Sequence, residues 1–258
     1  MRVVILAGGL GSRISEESHL RPKPMIEIGN RPIMWHIMKH YSHYGHNEFI
    51  VCAGYKQHII KEYFANYGLH ASHVTFDLQQ GCMEVHSNTS EPWKVTVVDT
   101  GLNTMTAGRV RRVREFIGDE PFFMTYGDGV SDVDLNALLE QHCQSNAICT
   151  LTTVSVAQRF GVLEVNNALV SGFREKQDSD GSLINAGFMV CEPKLFDYID
   201  GDFSVLEKEP LERLSAEGSL GAYHHTGFWQ CMDTQREREK LEEMWQGGMP
   251  QWKTWEND

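Results

Sequence analysis

A short apolar strand at the amino terminus, Arg2 to Leu6, runs directly into Ala7-Gly8-Gly9-Leu10-Gly11-Ser12-Arg13, and this junction constrains the fold more than any other stretch. Glycines at 8, 9 and 11 let backbone N–H groups close around an anion without Cβ obstruction. A second cationic site follows at Arg21-Pro22-Lys23-Pro24, so Arg13 and Lys23 can neutralise what lands on the loop. The stretch has the composition of a phosphate holder at the end of a strand.

Two familiar readings of a strand followed by glycines fail here. A Walker loop ends in Gly-Lys-Ser/Thr, whereas Gly11 is followed by Ser12-Arg13. The dinucleotide fingerprint needs glycine or alanine where this chain has Ile14, and its second strand ends in Ala53-Gly54-Tyr55 without the acidic ribose ligand. A nicotinamide oxidoreductase fails with that fingerprint. A bare geometric turn would explain one glycine but not this density beside Arg13 and Lys23.

The next segments supply the sheet. Apolar residues at Ile33, Ile37, Met38 and Tyr41 predict a helix over Pro32 to Tyr44, and Glu48 to Ala53 reads as a buried strand. Gln57 to Tyr67 returns to helical period. This alternation implies an α/β, Rossmann-like, mostly parallel sheet flanked by helices. From His73 to Val98 period-two segments appear around a polar stretch, Gln79 to Pro92, that reads as an excursion or extended loop. Ala107 to Ile117 reads as one basic helix, and Phe122 to Tyr126 as a strand ending at Gly127-Asp128-Gly129. That position puts Asp128 at the carboxyl end of a strand, where α/β sheets bind ligands. After Gln158 the pattern is β-rich through Phe160–Val165, Leu169–Glu175 and Leu183–Val190, and reads as an insertion into the α/β unit.

At 258 residues the chain is expected to form one compact domain, with a nucleotide-binding part over about 1–157 and a second part over about 158–258. A formal charge of −12 argues against nucleic-acid or anionic-membrane binding, so any phosphate site must be local. The six cysteines show no CxxC pair and no zinc spacing, and read as reduced thiols. With no signal segment and no apolar run long enough to span a bilayer, a cytoplasmic protein is expected.

LAGGLGSR followed by PKPMIEIGNRPIMWHI resembles the signature of the sugar-1-phosphate nucleotidyltransferases, and within them of those that use CTP and glucose 1-phosphate. Further stretches carry the resemblance to the end of the chain: Glu91-Pro92-Trp93-Lys94-Val95, Val98-Asp99-Thr100-Gly101, Tyr126-Gly127-Asp128-Gly129, Glu175-Lys176, Asn185-Ala186-Gly187-Phe188, Gly227-Phe228-Trp229-Gln230 and Trp252-Lys253-Thr254-Trp255-Glu256. The resemblance implies attack of a sugar phosphate oxygen on the α-phosphorus of a nucleoside triphosphate, releasing pyrophosphate. It also implies a bacterial step toward deoxysugars of lipopolysaccharide O-antigen, and a homo-oligomer. Trp229, Trp252 and Trp255 are expected to offer an apolar contact surface for it.

The resemblance assigns the roles residue by residue. Leu6, Ala7, Gly8, Gly9, Leu10, Gly11, Ser12 and Arg13 would hold the triphosphate, with Lys23 as a point charge bridging it to the attacking phosphate. Thr104 and Arg109 would read the base. Asp128 and Asp233 match two aspartates that bind Mg2+. From the residues alone, Asp128 is as well explained as a turn aspartate and Asp233 better as a helix cap, while Asp132 and Asp134 read as capping residues. Lys176 would meet the sugar phosphate, Glu175 and Asn185 the sugar hydroxyls, and Gly187 would leave room for the ring. Two departures stand out: Ala107-Gly108 where Gly-Gly is usual, which would add a methyl beside the base pocket, and Gln177 where proline is usual, which would loosen the loop carrying Lys176. The nearest rival is the same chemistry with another nucleoside triphosphate or acceptor phosphate; a binding module without turnover is a different class, opposed by the presence of Arg13, Lys23, Asp128, Lys176 and Asp233 together.

Overall fold

The computed structural model describes residues 1–11, 14–87, 89–156, 162–166, 169–174, 182–248 and 250–256. A seven-stranded sheet is built from β1 (Arg2–Ala7), β2 (Glu48–Ala53), β3 (Lys94–Asp99), β4 (Phe122–Tyr126), β5 (Cys149–Val156), β6 (Ser182–Cys191) and β7 (Leu220–His225). Its order is β7-β5-β6-β4-β1-β2-β3. Every neighbouring pair is parallel except the two made by β6, which runs antiparallel to both β4 and β5.

Alternation along β1 shows why the strand sits at the centre. Val3, Ile5 and Ala7 face one hydrophobic layer, Val4 and Leu6 the other, and all five are buried. Burying a Val or Ile side chain contributes about 1.5–3 kcal/mol, so a polar residue on either face would be costly. The first layer receives α1 (Ile33–His43) through Ile33, Ile37 and Tyr41, and α4 (Leu135–Ser145) through Leu135 and Leu138. The second receives α3 (Thr106–Arg112) through Val110 and α5 (Glu209–Ala216) through Leu211 and Leu214. Between α1 and α3 in the chain lies α2 (Gln57–Ala65), and α6 (Gln235–Gln246) closes the chain's helical series.

Several expectations are corrected. The basic helix is split: α3 stops at Arg112 and a short turn, Arg114–Ile117, follows. The polar stretch after Gln79 contains a second hairpin strand, Cys82–Val85, paired with Val74–Asp77. Lys94–Asp99 is the parallel edge strand of the main sheet, not part of that excursion. Of the β-rich segment, only Val162–Asn166 and Leu169–Arg174 form a separate hairpin, because Ser182–Cys191 is a central strand of the main sheet. Trp252 and Trp255 are buried in this chain's own core and Trp229 is half-buried, so they are not a free contact surface.

Candidate active site

The carboxyl ends of β1, β2, β3 and β4 share one edge, and each contributes a turn to it. The loop after β1 lines a cavity of about 600 Å3 with Leu6, Ala7, Gly8, Gly9, Leu10 and Gly11, faced by Thr104, Arg109, Lys23 and Asp128. Gly127 N donates to Leu6 O at 3.0 Å, extending the β4–β1 ladder by one bond and fixing Asp128 beside the loop. A cavity of about 280 Å3 adjoins it, lined by Asn185, Ala186, Trp229, Cys231 and Asp233. Asp128, Tyr126 and Glu207 line both. A larger cavity of about 770 Å3 lies at the opposite edge, among Arg2, Glu48 and His142. It has none of the loop glycines, so the chemistry places the site in the smaller pair.

Lys23 begins a tight turn, Lys23–Met25, between Pro22 and Pro24, and its side chain is buried. Its ammonium donates to Asp128 Oδ2 at 2.6 Å and also to Asp233 Oδ1. Burial opposes the charge, but the two carboxylates, Asp128 foremost, outweigh it and hold the Lys23 amine above its ordinary range. A small ladder brings the distant aspartates together: Trp229–Cys231 pairs antiparallel with Gly129–Ser131, and Met232 N donates to Asp128 O at 2.8 Å.

Asp233 is not the helix cap that local sequence suggests. Thr234 caps α6 with Glu237 in a reciprocal capping box, which leaves the Asp233 carboxylate for Lys23. Asp134 does cap α4, accepting from Asn136 N and Ala137 N. Asp132 does not cap; it accepts from Phe228 N and pairs with His225. Asp128 and Asp233 are therefore the carboxylates that could hold a divalent ion. No group of three or more metal-type ligands occurs among the described residues. A cation already stands between the pair in the form of Lys23, so the donor set fits magnesium, which takes one or two carboxylates and completes its shell with water and phosphate oxygens.

Arg109 lies beneath the glycine loop. Its guanidinium donates to Thr100 Oγ1 at 2.8 Å, Gly101 O at 2.7 Å and Leu102 O at 3.2 Å, so it braces the turn that follows β3. A Cβ on Gly8 would fall 2.1 Å from Arg109 Nη1, which explains why that position carries no side chain. Arg109 thus supports the cavity wall, with most of its donors engaged. Thr104 is buried in the same wall. The Ala107 methyl is fully buried in the second hydrophobic layer, away from the cavity, which corrects the expectation that it narrows a base pocket.

On the side of the smaller cavity, Gly187 has φ +87°, and a Cβ there would meet Tyr126 Cδ2 at 2.4 Å. Asn185 Oδ1 accepts from Gly187 N at 2.9 Å, and Trp229 Nε1 donates to Ala186 O at 2.8 Å. Burial pushes the Cys231 thiol up to about 11, so it is protonated near neutral pH and offers no nucleophile. Ser12, Arg13, Glu175, Lys176 and Gln177 lie outside the described residues. Tyr126 and Glu207 are among the cavity residues to which the sequence reading gave no role. Tyr126 could have been found as the last residue of a strand aimed at the site, whereas Glu207 sits in an ordinary charged run, Glu207-Lys208-Glu209, with nothing local to mark it.

The sequence matches the family described as nucleotidyl transferase over residues 2–225. It is 51% identical over 257 residues to a glucose-1-phosphate cytidylyltransferase of Salmonella typhimurium, covering 99% of this chain and 100% of that protein. It is 43% identical over 256 residues to a probable glucose-1-phosphate cytidylyltransferase of Bacillus subtilis, again covering 99% and 100%. The fold is similar to that of HddC from Yersinia pseudotuberculosis, with a TM-score of 0.70 at 21% identity over 95% of this chain and 99% of that one. It is similar also to a UDP-glucose pyrophosphorylase from Acinetobacter baumanii, with a TM-score of 0.70 at 17% identity over 97% and 95%. Both structural likenesses speak to the fold alone. The family match over residues 2–225, with sequence identity carried along nearly the whole length, places this chain in the nucleotidyl transferase family.

Proposed function

We propose that this protein transfers a cytidylyl group from CTP to α-D-glucose 1-phosphate, giving CDP-glucose and pyrophosphate in the cytoplasm. The observation that carries the reading is the meeting of two cavities at Asp128 beside Lys23. A triphosphate resting on the glycine-loop amides brings its α-phosphorus to that junction, and the acceptor phosphate reaches it from the cavity of Asn185 and Trp229. The choice of CTP and glucose 1-phosphate rests on the similarity to relatives bearing that name.

A phosphate monoester has a second pKa of about 6, so the nucleophile is largely dianionic at neutral pH and needs no general base. An acceptor phosphate oxygen forms the new bond to the α-phosphorus as the bond to the bridging oxygen breaks, and pyrophosphate leaves in line. Catalysis is then alignment and charge neutralisation. Loop amides from Gly8 to Gly11 align the triphosphate, and Lys23 supplies positive charge between the two reacting phosphates. Arg13 and Lys176 are assigned to the triphosphate and the acceptor phosphate by the family resemblance. Magnesium, held by Asp128 and Asp233, would supply Lewis-acid neutralisation at the α- and β-phosphate oxygens.

A homo-oligomer is also proposed. The hairpin of Val74–Asp77 and Cys82–Val85 exposes Phe76, Leu78 and Met83, with Leu78 91% accessible, an apolar display that a lone molecule has no use for. Pyrophosphate release across a grid of nucleoside triphosphates and sugar 1-phosphates, with and without magnesium, tests the reaction. CTP with glucose 1-phosphate should exceed every other pair. Equal release from other pairs would remove the substrate assignment, and no release from any pair would remove the activity. Light scattering on the same sample reads the oligomeric state.

A further inference from the structure

Glu207 stands on the boundary between the two cavities, and its chemistry differs from that of everything else there. It lies just before α5, on a segment held to α3 by Leu206 N, which donates to Thr106 Oγ1 at 2.8 Å. Thr106 spends its hydroxyl proton on Glu207 Oε2 at 2.9 Å, and the Tyr126 hydroxyl donates to Glu207 Oε1. Each carboxylate oxygen therefore has one protein donor. An ionised carboxylate offers about four lone-pair sites, so about two are left, on an exposed group that lines both cavities.

A carboxylate with spare acceptors repels phosphate, and among the described residues no Lys or Arg is paired with it. What it can take is a neutral donor. Near the reacting phosphates of a nucleotide and a sugar phosphate, the neutral donors are hydroxyl groups. Tyr126 and Thr106 fix the carboxylate from two elements, β4 and α3, so its direction is set before a substrate arrives.

We propose that Glu207 is a specificity-determining residue that accepts a hydrogen bond from a substrate hydroxyl at the junction, on either the ribose of the nucleotide or the ring of the acceptor sugar. The inference rests on the nucleotidyl-transfer reading above. A site built to hydrogen-bond a hydroxyl rejects the analogue that lacks it, because its acceptor is then left without a donor. Tyr126 acts through Glu207 as a positioning residue.

The test compares wild type, Glu207→Gln and Tyr126→Phe for kcat/KM with CTP and glucose 1-phosphate, and then with 2′-deoxy-CTP, 3′-deoxy-CTP and the monodeoxy glucose 1-phosphates. One deoxy analogue should cost wild type about tenfold or more while costing Glu207→Gln little, and the identity of that analogue locates the hydroxyl on ribose or on hexose. Tyr126→Phe should show the same selective pattern at smaller amplitude. The thermal midpoint of Glu207→Gln should stay near wild type, since Glu207 is exposed. If every analogue loses the same factor in wild type and Glu207→Gln, the proposal is overturned. Wild type without activity on CTP and glucose 1-phosphate would instead overturn the parent reading.

Discussion

Replacing Lys23 by methionine removes the ammonium and keeps most of its apolar stem. This leaves Asp128 and Asp233 facing each other, their side chains 29% and 24% exposed, with the cation they share gone. Removing one partner of a buried ion pair costs about 3–5 kcal/mol, and the remaining solvent contact of both carboxylates reduces that to about 2–3 kcal/mol. For a chain of 258 residues, 1 kcal/mol moves the melting point by about 2–4 °C, so Lys23→Met should melt about 5–10 °C below wild type in the presence of a chelator. Magnesium at constant ionic strength should restore about half of the loss, because the vacated carboxylate pair can take the divalent ion; at ten times its dissociation constant the ion returns about 1.4 kcal/mol. Wild type, with Lys23 in place, should respond far less. Scanning calorimetry with and without magnesium makes the comparison, and Lys23→Met combined with Asp128→Asn should regain stability without the metal. A variant that melts at the wild-type temperature, or that loses stability which magnesium leaves untouched, would refute the idea that Lys23 holds the ion's place.

Asp128→Asn should lower pyrophosphate release at least a hundredfold, whereas Asp134→Ala should cost about 1 kcal/mol in urea unfolding through the lost helix cap and leave turnover alone. Gly187→Ala combines a left-handed φ with contact against the Tyr126 ring, and should lose about 2 kcal/mol of stability and raise the KM for the acceptor more than that for the nucleotide. Stability should also fall with acidification. Burial lowers His36 to about 4 and His40 to about 3 from an ordinary 6.5, so the unfolded chain binds more protons below pH 6.5 and folding weakens as pH drops from there toward 4. His36 alone contributes on the order of 3 kcal/mol at the lower end of that window. In His36, Nε2 bonds Ile28 O while Nδ1 accepts from Trp252 Nε1, an arrangement only the neutral ring can make. Urea midpoints of wild type and His36→Gln between pH 7 and 4 should diverge in slope, and parallel slopes would count against the assignment.

Periodicity carried most of the sheet. Glu48–Ala53 and Phe122–Tyr126 occupy the bounds that their apolar runs indicate, because fully buried parallel strands leave an unbroken hydrophobic signature. The split of the basic helix at Val113 left none, since Thr106 to Ile117 keeps one apolar face through both pieces. Strand direction was equally silent: nothing in Ser182–Cys191 says that it lies antiparallel between β4 and β5. At the site, glycine density and the run of family motifs pointed to the loop, Lys23 and the two aspartates. That Lys23 bridges those aspartates depends on a ladder between residues about a hundred positions apart, which no local window contains. The support that Arg109 gives the cavity wall was not legible, because two of its acceptors are the backbone carbonyls of Gly101 and Leu102, which any sequence would supply.

The reversed strand β6 has an evolutionary consequence. Since β5 ends and β6 begins at the edge that carries the glycine loop, the chain between Val156 and Ser182 leaves from that edge and returns to it. Such a segment can be lengthened, shortened or exchanged without altering the register of any sheet strand. Strands β1 to β4 and the glycine loop can thus be inherited unchanged while a single connection beside them is rewritten.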